Sequence, residues 1–347
     1  MRVAIVGAGT ISKIHINAFR AAGAEIAGLV DRRRESAEAR AAECAVEKVY
    51  DTVDEVLADP GVDAVSIATP VSTHTELTCK ALAAGKHVFC EKPPAMTADE
   101  VQAMIDARDA AGRVLQFGFV NRFKDRIIKL RSEIKGGLLG TPVFCEAGRL
   151  ARCANPGGWF ADRRFTKGGS FFDAAIHEID ALLHVLGYPK IATVRAFMGY
   201  ENAEIAARLG KKAYTSATAG ASGFRNDVET SVTAFLVTEA GYPILLRSTA
   251  ATGTVSEGAY VRLTGTDGGA KIPGNKGPIQ AVRLEEDGYH SFEIGEDNDA
   301  FTDQMRHFIA CCEAGERCIA TAEDARSLMA LFDAVYLSAA EGREVCL

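Results

Sequence analysis

The sequence has 347 residues, 48% of them hydrophobic, which predicts a globular protein with two domains or one domain with a large appendage. With 46 acidic and 39 basic residues the net charge is -7, so no overall positive field is available to hold a nucleic acid. No apolar stretch reaches the roughly 18 residues of a membrane span, and we therefore expect neither nucleic acid nor membrane as a partner.

Short apolar runs alternate with helical patterns through the first third of the chain. This alternation is typical of βαβ units around a parallel sheet. Thr97 and Glu100 have the spacing of a capping box and predict the start of one helix. We therefore predict a doubly wound α/β domain of the Rossmann type over residues 1–121. Its predicted strands are 3–7, 25–30, 64–69, 87–92 and 114–119.

Longer alternating runs follow residue 121 and predict a second domain, 122–347. Their pattern favours an antiparallel sheet with one face covered, and so an α+β domain. Residues 198–226 are rich in Ala, Gly and Ser, and we expect a surface helix or loop there. Two helices, at 301–315 and 321–342, are predicted to end the chain. The predicted strands are 141–150, 229–237, 242–250 and 258–268.

The first strand is followed by a glycine turn, in the sequence VAIVGAGTIS. Gly7 and Gly9 leave the backbone bare, so a pyrophosphate can approach free N–H groups and the positive end of the next helix. Ser12 replaces the third glycine of the G-x-G-x-x-G fingerprint, where a small side chain suffices for packing. Glycine turns also occur in proteins that bind no nucleotide. The residues predicted to hold a dinucleotide here are Gly7, Gly9, Thr10 and Ile11.

Asp31 ends the second predicted strand, 22 residues after Gly9. At this distance an acidic side chain can accept both ribose hydroxyls and repel a 2′-phosphate, which favours NAD. Arg32 begins a run of three arginines and could instead serve a 2′-phosphate. We predict Asp31 and Arg32 as cofactor contacts, with NAD preferred and NADP left open.

The fourth apolar run ends in Glu91-Lys92-Pro93-Pro94, where open α/β sheets place their ligands. A lysine at this point can hold or polarise a substrate hydroxyl, while a turn lysine beside proline explains the same residues without any function. A cis Lys92-Pro93 bond would fix the direction of the lysine.

The segment KGGSFFDAAIHEIDALLHVLGYP contains a helix candidate from Phe171 to Leu186. Two aspartates and two histidines recur on one stripe of this helix, which resembles the wall of a cleft more than a solvated face. They are Asp173, His177, Asp180 and His184. His177 titrates near neutrality and is the natural general base for a hydroxyl proton, with Asp173 to orient it.

Nine cysteines are scattered without a CxxC pair or zinc spacing. We expect them to be reduced in the cytoplasm, because disulfides are rare there. Histidine and aspartate four residues apart can chelate zinc, but no further ligand set completes a catalytic site, so we predict no metal.

Five motifs, in this order, make the chain similar to the Gfo/Idh/MocA oxidoreductases, which include inositol, glucose and other sugar dehydrogenases. The motifs are VAIVGAGTIS, ATPVSTH (68–74), AGKHVFCEKP (84–93), GGSFFDAAIHEID (168–180) and the segment that begins AFTDQMRHFIACCEAGE near residue 300. The resemblance covers nearly the whole chain. It implies a Rossmann domain followed by an α/β domain whose open sheet packs against a second subunit, giving homodimers or homotetramers.

The resemblance also implies the roles of individual residues. The catalytic group corresponds here to Lys92, Asp173 and His177. The cofactor-side turn corresponds to Thr69, Pro70 and His74, with Glu91 near the nicotinamide. Ser170 and Ala175 stand where glycine is common in the family, and both keep a small side chain.

We therefore expect hydride transfer between NAD(P) and a hydroxyl-bearing carbon of a sugar, polyol or sugar derivative. Two other functions fit the same motifs: glycoside cleavage with transient oxidation by NAD, and dinucleotide sensing without catalysis. Asn121, Trp159 and Arg163 are candidate substrate contacts, because they lie near predicted cleft loops and a lone tryptophan suits stacking on a sugar face.

Overall fold

The computed structural model describes residues 1–152, 156–200, 222–250, 253–255, 258–274 and 277–347. The chain divides into two compact units, each with its own sheet. The first comprises Met1–Phe123 and Asp299–Met329, and the second comprises Lys124–Asn298 and Ala330–Leu347. Among the described residues, no helix combines the length and the apolar character that a membrane crossing requires.

The first unit contains a parallel sheet of five strands. These are β1 (Arg2–Val6), β2 (Glu25–Val30), β3 (Ala64–Ile67), β4 (His87–Cys90) and β5 (Leu115–Phe117). Their order is β2-β1-β3-β4-β5, and every neighbouring pair is parallel. β2 lies on one side of β1, and β3 to β5 follow on the other side, so the direction of the strand order reverses between β1 and β3. The predicted Rossmann sheet is confirmed, and ligands of such sheets bind at the carboxyl ends of strands beside this reversal.

Helices connect these strands. They are α1 (Thr10–Ala21), α2 (Arg34–Glu43), α3 (Val53–Ala58), α4 (His74–Ala83) and α5 (Ala98–Ala111), with short 3₁₀ turns at Val71–Thr73 and Val120–Phe123. The predicted cap of α5 is confirmed, because the Glu100 N–H donates to the Thr97 hydroxyl at 3.2 Å. The Glu100 carboxylate accepts from the N–H of Met96 at 2.7 Å, whereas in a capping box the carboxylate accepts from the N–H of the cap residue itself.

Within its described residues, the second unit contains a sheet of nine strands. These are β6 (Pro142–Leu150), β7 (Ile191–Gly199), β8 (Ser231–Thr238), β9 (Pro243–Thr249), β10 (Gly258–Gly265), β11 (Gly268–Ile272), β12 (Ile279–Glu285), β13 (Gly288–Ile294) and β14 (Val345–Cys346). The order is β13-β12-β11-β10-β6-β9-β8-β7-β14, and only β6 and β9 pair in parallel. The predicted mostly antiparallel sheet is confirmed, with more strands than the sequence pattern showed.

One face of the large sheet is covered and the other is open. Helices α6 (Asp125–Lys135), α7 (Ser170–Asp173) and α8 (Ile176–Val185) belong to this unit, and α8 packs on β6 and β10. On alternate positions the strands bury apolar residues such as Val194, Leu236 and Leu246. The intervening positions point to the open face and include Phe197 and Phe235, both largely exposed.

Two helices, α9 (Ala300–Ala314) and α10 (Ala322–Glu341), precede the last strand, β14. α9 packs against α1 in the first unit, where Phe19, Phe89 and Phe308 meet edge to face with ring centres 5.8 to 6.1 Å apart.

The surface segment predicted for 198–226 corresponds only in part to the structure. Residues 198 and 199 are the end of β7, so the prediction of a helix or loop is wrong there. Both residues continue the strand, since β7 pairs with β8 up to Gly199 and Ser231. Residues 201–221 lie outside the described part of the chain.

Candidate active site

The turn after β1 requires glycine at its first position. Gly7 has φ +106°, and a Cβ there would lie 2.6 Å from the Ala68 carbonyl oxygen. Its N–H donates to the Val30 carbonyl at 2.8 Å. The turn therefore touches the backbone at the ends of both neighbouring strands. Ser12 is fully buried, and its hydroxyl donates to the Gly9 carbonyl at 2.6 Å, so a small residue does fill the third-glycine position.

Gly9 is the N-cap of α1, and its surroundings differ from those of Gly7. A Cβ at Gly9 would have no described atom within 4 Å, and no described side chain caps this helix end. The first turn, which begins with exposed Thr10 and half-buried Ile11, has no acidic residue. Open space in front of uncapped N–H groups fits the pyrophosphate of a dinucleotide.

Asp31 lies beside the same turn. One carboxylate oxygen accepts from the Ala8 N–H and the other from the Arg33 N–H, each at 2.8 Å. Each oxygen keeps a second lone pair for a ligand hydroxyl. Asp31 therefore also fixes the glycine turn, which its sequence position did not reveal. Arg32 is exposed next to it.

A buried histidine connects α1 with the end of β4. The two ring nitrogens of His15 lie 2.9 Å from the Ser66 hydroxyl and 2.8 Å from a Glu91 carboxylate oxygen. Burial opposes the charge of Glu91, but the His15 hydrogen bond and nearby positive charge hold its pKa below the usual range. The Lys92 N–H donates to the other oxygen at 2.9 Å. Sequence reasoning missed His15, because a lone histidine on a helix carries no pattern.

His74 holds two of the predicted cofactor-side segments. Its ring nitrogens lie 2.9 Å from the carbonyl oxygens of Thr69 and Pro93. Complete burial lowers its pKa, although the two carbonyls favour the charged ring. The enclosed side chain therefore joins the turn after β3 to the segment after β4 within this unit. The Lys92-Pro93 bond is cis, as the sequence allowed.

The predicted cofactor residues thus converge at one edge of the first sheet. β1, β3 and β4 are parallel neighbours, so Gly7, Thr69-Pro70 and Glu91-Lys92 all follow carboxyl strand ends. Thr69, Pro70 and Lys92 are half-buried there, with surface left for a ligand.

The helix predicted from Phe171 to Leu186 is interrupted in the structure. α7 ends at Asp173 and α8 begins at Ile176, and between them the Ala175 N–H bonds five residues back to the Ser170 carbonyl. Asp173 and His177 therefore lie on two successive helical segments, both half-buried. α8 does end as predicted, just before Gly187 at φ +79°.

The other two members of the predicted stripe do not line a cleft. Asp180 and His184 are 1% and 2% exposed. Asp180 accepts from the Tyr188 hydroxyl, and His184 lies 3.4 Å from Arg131. The prediction that all four polar residues share one open face is wrong, because α8 is enclosed on that side by its own unit.

A buried carboxylate anchors the start of α7. Glu229 accepts from the N–H groups of Gly169 at 2.7 Å and Phe171 at 3.3 Å. A methyl group on Gly168 would overlap the Tyr336 hydroxyl, and one on Gly169 would overlap the Glu229 carbonyl, so both positions need glycine. Burial raises the pKa of Glu229. Sequence reasoning missed Glu229, which is 60 residues from the glycine pair.

The residue after His177 forms a buried ion pair. The buried Glu178 carboxylate receives two hydrogen bonds from Arg149, at 2.7 and 3.1 Å. Burial raises the pKa of Glu178 despite this partner. Half-buried Lys124 also faces this cluster, and burial with the nearby Arg126 charge lowers its pKa to about 8.

The three candidate substrate contacts are distributed over both units. Asn121 is in the first, in the 3₁₀ turn at Val120–Phe123, while Trp159 and Arg163 are in the second. Trp159 stacks on Phe160 with ring centres 3.6 Å apart. The guanidinium of Arg163 bonds to the Tyr200 hydroxyl, so it already has an intramolecular partner.

The fold and these motifs define a dinucleotide-binding oxidoreductase, and sequence profiles agree. Residues 1–119 match the profile described as oxidoreductase family, NAD-binding Rossmann fold, and residues 131–347 match that family's C-terminal alpha/beta domain. The chain belongs to the Gfo/Idh/MocA oxidoreductase family, and its first unit is an NAD-binding Rossmann fold.

The names of similar proteins describe enzymes that act on sugars and polyols. The chain is 37% identical over 199 residues to D-glucoside 3-dehydrogenase of Escherichia coli (strain K12), a match that spans 56% of this chain and 57% of that protein. It is 28% identical to inositol 2-dehydrogenase of Rhizobium meliloti (strain 1021) over 100% and 99% of the two chains. The structure of aldose-aldose oxidoreductase from Caulobacter crescentus, complexed with glycerol, is similar with TM-score 0.84 and 25% identity, covering 100% of this chain and 99% of that one.

Proposed function

We propose that this protein transfers a hydride between NAD and a hydroxyl-bearing carbon of a sugar, polyol or sugar derivative. One observation carries the proposal: the glycine turn, Thr69-Pro70 and Glu91-Lys92 converge at one edge of the parallel sheet. That edge is where such sheets bind dinucleotides, so Lys92 is placed on the cofactor side. The names of the relatives support the substrate class.

The proposed reaction removes two hydrogens from one substrate carbinol. Lys92 binds the reacting hydroxyl, His177 takes its proton, and Asp173 orients the imidazole or binds a second hydroxyl. The bound nicotinamide supplies the hydride acceptor. A ketone or lactone, NADH and one proton result, so atoms and electrons balance.

The adenosine end of the cofactor is proposed to contact Asp31. Its carboxylate is fixed by two backbone N–H groups and keeps lone pairs for ribose hydroxyls. A 2′-phosphate would be repelled there, which favours NAD over NADP. Arg32 is exposed and adjacent, so it is the residue through which NADP would bind.

The direct test is the substitution Lys92→Met. Loss of the amine is expected to reduce kcat by about a thousandfold or more with sugars and polyols, while NAD binding by calorimetry changes less than about threefold. Lys80→Met, on the exposed surface of α4, is the matched control and should keep full activity. Full turnover in the Lys92 variant would refute the role.

The same assay separates the two alternative functions. A glycoside-cleaving enzyme releases an aglycone without net NADH, so absorbance of the reduced cofactor and leaving-group release are followed together. A sensor binds NAD and changes neither. The proposed dehydrogenase forms NADH in step with substrate loss.

We also propose that the open face of the large sheet forms a homodimer or homotetramer. The support is a set of exposed apolar side chains on strands of that face, since isolated sheet faces of this kind are typically covered by a partner. They are Phe197, Phe235, Leu284 and Tyr289.

The functional division is proposed to fall near residue 121. Residues 1–121 would bind the dinucleotide, and 122–347 would supply the substrate groups and the subunit contact. A cytoplasmic location is part of the proposal, and the eight described cysteines, all with free thiols, are compatible with a reducing compartment.

A further inference from the structure

A cluster of metal-type ligands lies in the first unit, at the end of α9. His307 and Cys311 are one helical turn apart, and Cys318 follows in the loop before α10. One ligand atom from each residue lies within 4.8 Å of the other two. The sequence shows no zinc spacing here because two ligands come from a helix and the third from a loop, without the paired CxxC pattern.

The distance between His307 and Cys311 matches that between two ligands of a tetrahedral metal ion. The His307 Nε2 atom lies 3.4 Å from the Cys311 Sγ atom. In a tetrahedral site with bonds of about 2.0 to 2.3 Å, neighbouring N and S ligand atoms are about 3.5 Å apart. The two atoms therefore need little movement to share one ion.

The second nitrogen of His307 faces a carboxylate. Nδ1 lies 3.7 Å from the Glu316 Oε2 atom, and the Ile319 N–H donates to Nε2 at 3.0 Å. Because this N–H donates to the Nε2 lone pair, the ring proton is on Nδ1, and a metal ion would replace Ile319 at Nε2. A carboxylate behind the ring of a ligating histidine is the usual arrangement in zinc sites.

The cluster is enclosed on one side and open on the other. Cys311 is 3% exposed and the His307 side chain 13%, while the Glu316 side chain is 57% exposed. The Cys318 thiol donates to the buried Gln116 Oε1 at 3.6 Å, a bond that a metal would replace.

We propose that His307, Cys311 and Cys318 bind one Zn²⁺ ion, with Glu316 as the positioning carboxylate of His307. Two thiolates and one imidazole select a thiophilic divalent ion over Mg²⁺ or Ca²⁺. The site ties the loop between α9 and α10 to α9. Because His307 Nε2 leaves the Ile319 N–H when it binds metal, the loop amides change environment on loading.

The test is titration of the reduced full-length protein with Co²⁺, the spectroscopic substitute for Zn²⁺, followed by displacement with Zn²⁺. We expect one equivalent to bind, with thiolate-to-cobalt charge transfer in the near ultraviolet and the intense visible bands of tetrahedral cobalt. Cys318→Ser and His307→Gln should remove these bands or weaken binding at least about a hundredfold. Glu316→Gln should weaken it by about tenfold.

Cys312→Ser is the matched control, because this neighbouring cysteine is not part of the cluster and should leave the spectrum unchanged. Circular dichroism of each variant establishes that it is folded. Hydrogen exchange at the Ile319 amide gives a second readout on the unsubstituted protein, with changed protection expected on Zn²⁺ addition. The proposal is overturned if no tetrahedral bands form and exchange at Ile319 is unchanged. It is also overturned if the bands persist in both Cys318→Ser and His307→Gln and exchange at Ile319 is unchanged.

Discussion

Gly7 and Gly9 illustrate two different reasons for glycine in one turn. Gly7 has positive φ and no room for a Cβ beside Ala68, so its requirement belongs to the fold. Gly9 has ordinary φ and open space, so its requirement belongs to the ligand. The sequence motif predicted both positions but could not separate these roles.

Alanine substitutions should separate them. Gly7→Ala is expected to cost about 1 to 3 kcal/mol of folding free energy and lower the Tm, because the backbone is strained and the methyl group overlaps Ala68. Gly9→Ala should leave the Tm unchanged while weakening NAD binding about tenfold or more, since the methyl group occupies the proposed pyrophosphate position. Differential scanning calorimetry and NAD titration measure the two effects. Equal NAD affinity in Gly9→Ala and the unsubstituted protein would contradict the placement of the pyrophosphate.

Lys124 gives the molecule a pH dependence that can be isolated. Burial lowers its pKa from 10.5 to about 8, so between these pH values the unfolded chain binds a proton at this amine and the folded state does not. The folded state therefore loses stability as the pH falls from about 10.5 to about 8. Lys124→Met removes this group. From pH 7 to pH 10, we expect the Tm of the unsubstituted protein to rise by about 2 °C relative to the Tm of Lys124→Met. The change is small because the amine is partly hydrated. A constant Tm difference across this range would contradict the assignment.

At the scale of elements, local sequence patterns predicted where a helix starts and ends better than whether it is continuous. The cap at Thr97 and the end of α8 at Gly187 were both predicted, because capping chemistry is local. The break between α7 and α8 was not, since the apolar periodicity continues through Ala174 and Ala175. The break lies next to the glycine pair and Glu229, a contact made far along the chain.

Glu229 should therefore control the position of α7. Glu229→Gln keeps the volume but leaves one of the two N–H groups at the helix start without an acceptor, at a cost of about 1 to 3 kcal/mol. We expect a lower Tm and a kcat at least about tenfold lower, with NAD affinity unchanged because the dinucleotide turn is in the other unit. Glu239→Gln, an exposed carboxylate, is the control. Reduced NAD affinity with normal kcat would contradict this division.

On the scale of the whole molecule, the sequence predicted both sheets but fewer strands than the second contains. β11 has only five residues, and β12 and β13 carry apolar and polar residues on both faces, so these strands lack a clear apolar alternation. Periodicity also carries no information about which sheet a late helix packs on. That α9 packs against α1 in the first unit emerges only from the structure.

The proposed assembly depends on the open face of the second sheet. Phe235→Glu places a charge in the middle of that face, so we expect a shift toward monomer in light scattering coupled to size exclusion. Ile128→Glu, on an exposed position of α6, is the matched control and should leave the mass unchanged. A Phe235→Glu variant with the unchanged assembly mass would exclude this face as the interface.

We propose that a hydride passes from a carbinol carbon to NAD and that this transfer requires Lys92. The direct measurement is mass spectrometry of the cofactor after incubation with NAD and carbon-deuterated inositol, glucose and methyl glucoside. We expect reduced cofactor that carries one deuterium with at least one of these substrates, and none with Lys92→Met. Unlabelled cofactor with all of them, or equal labelling by Lys92→Met, would contradict it.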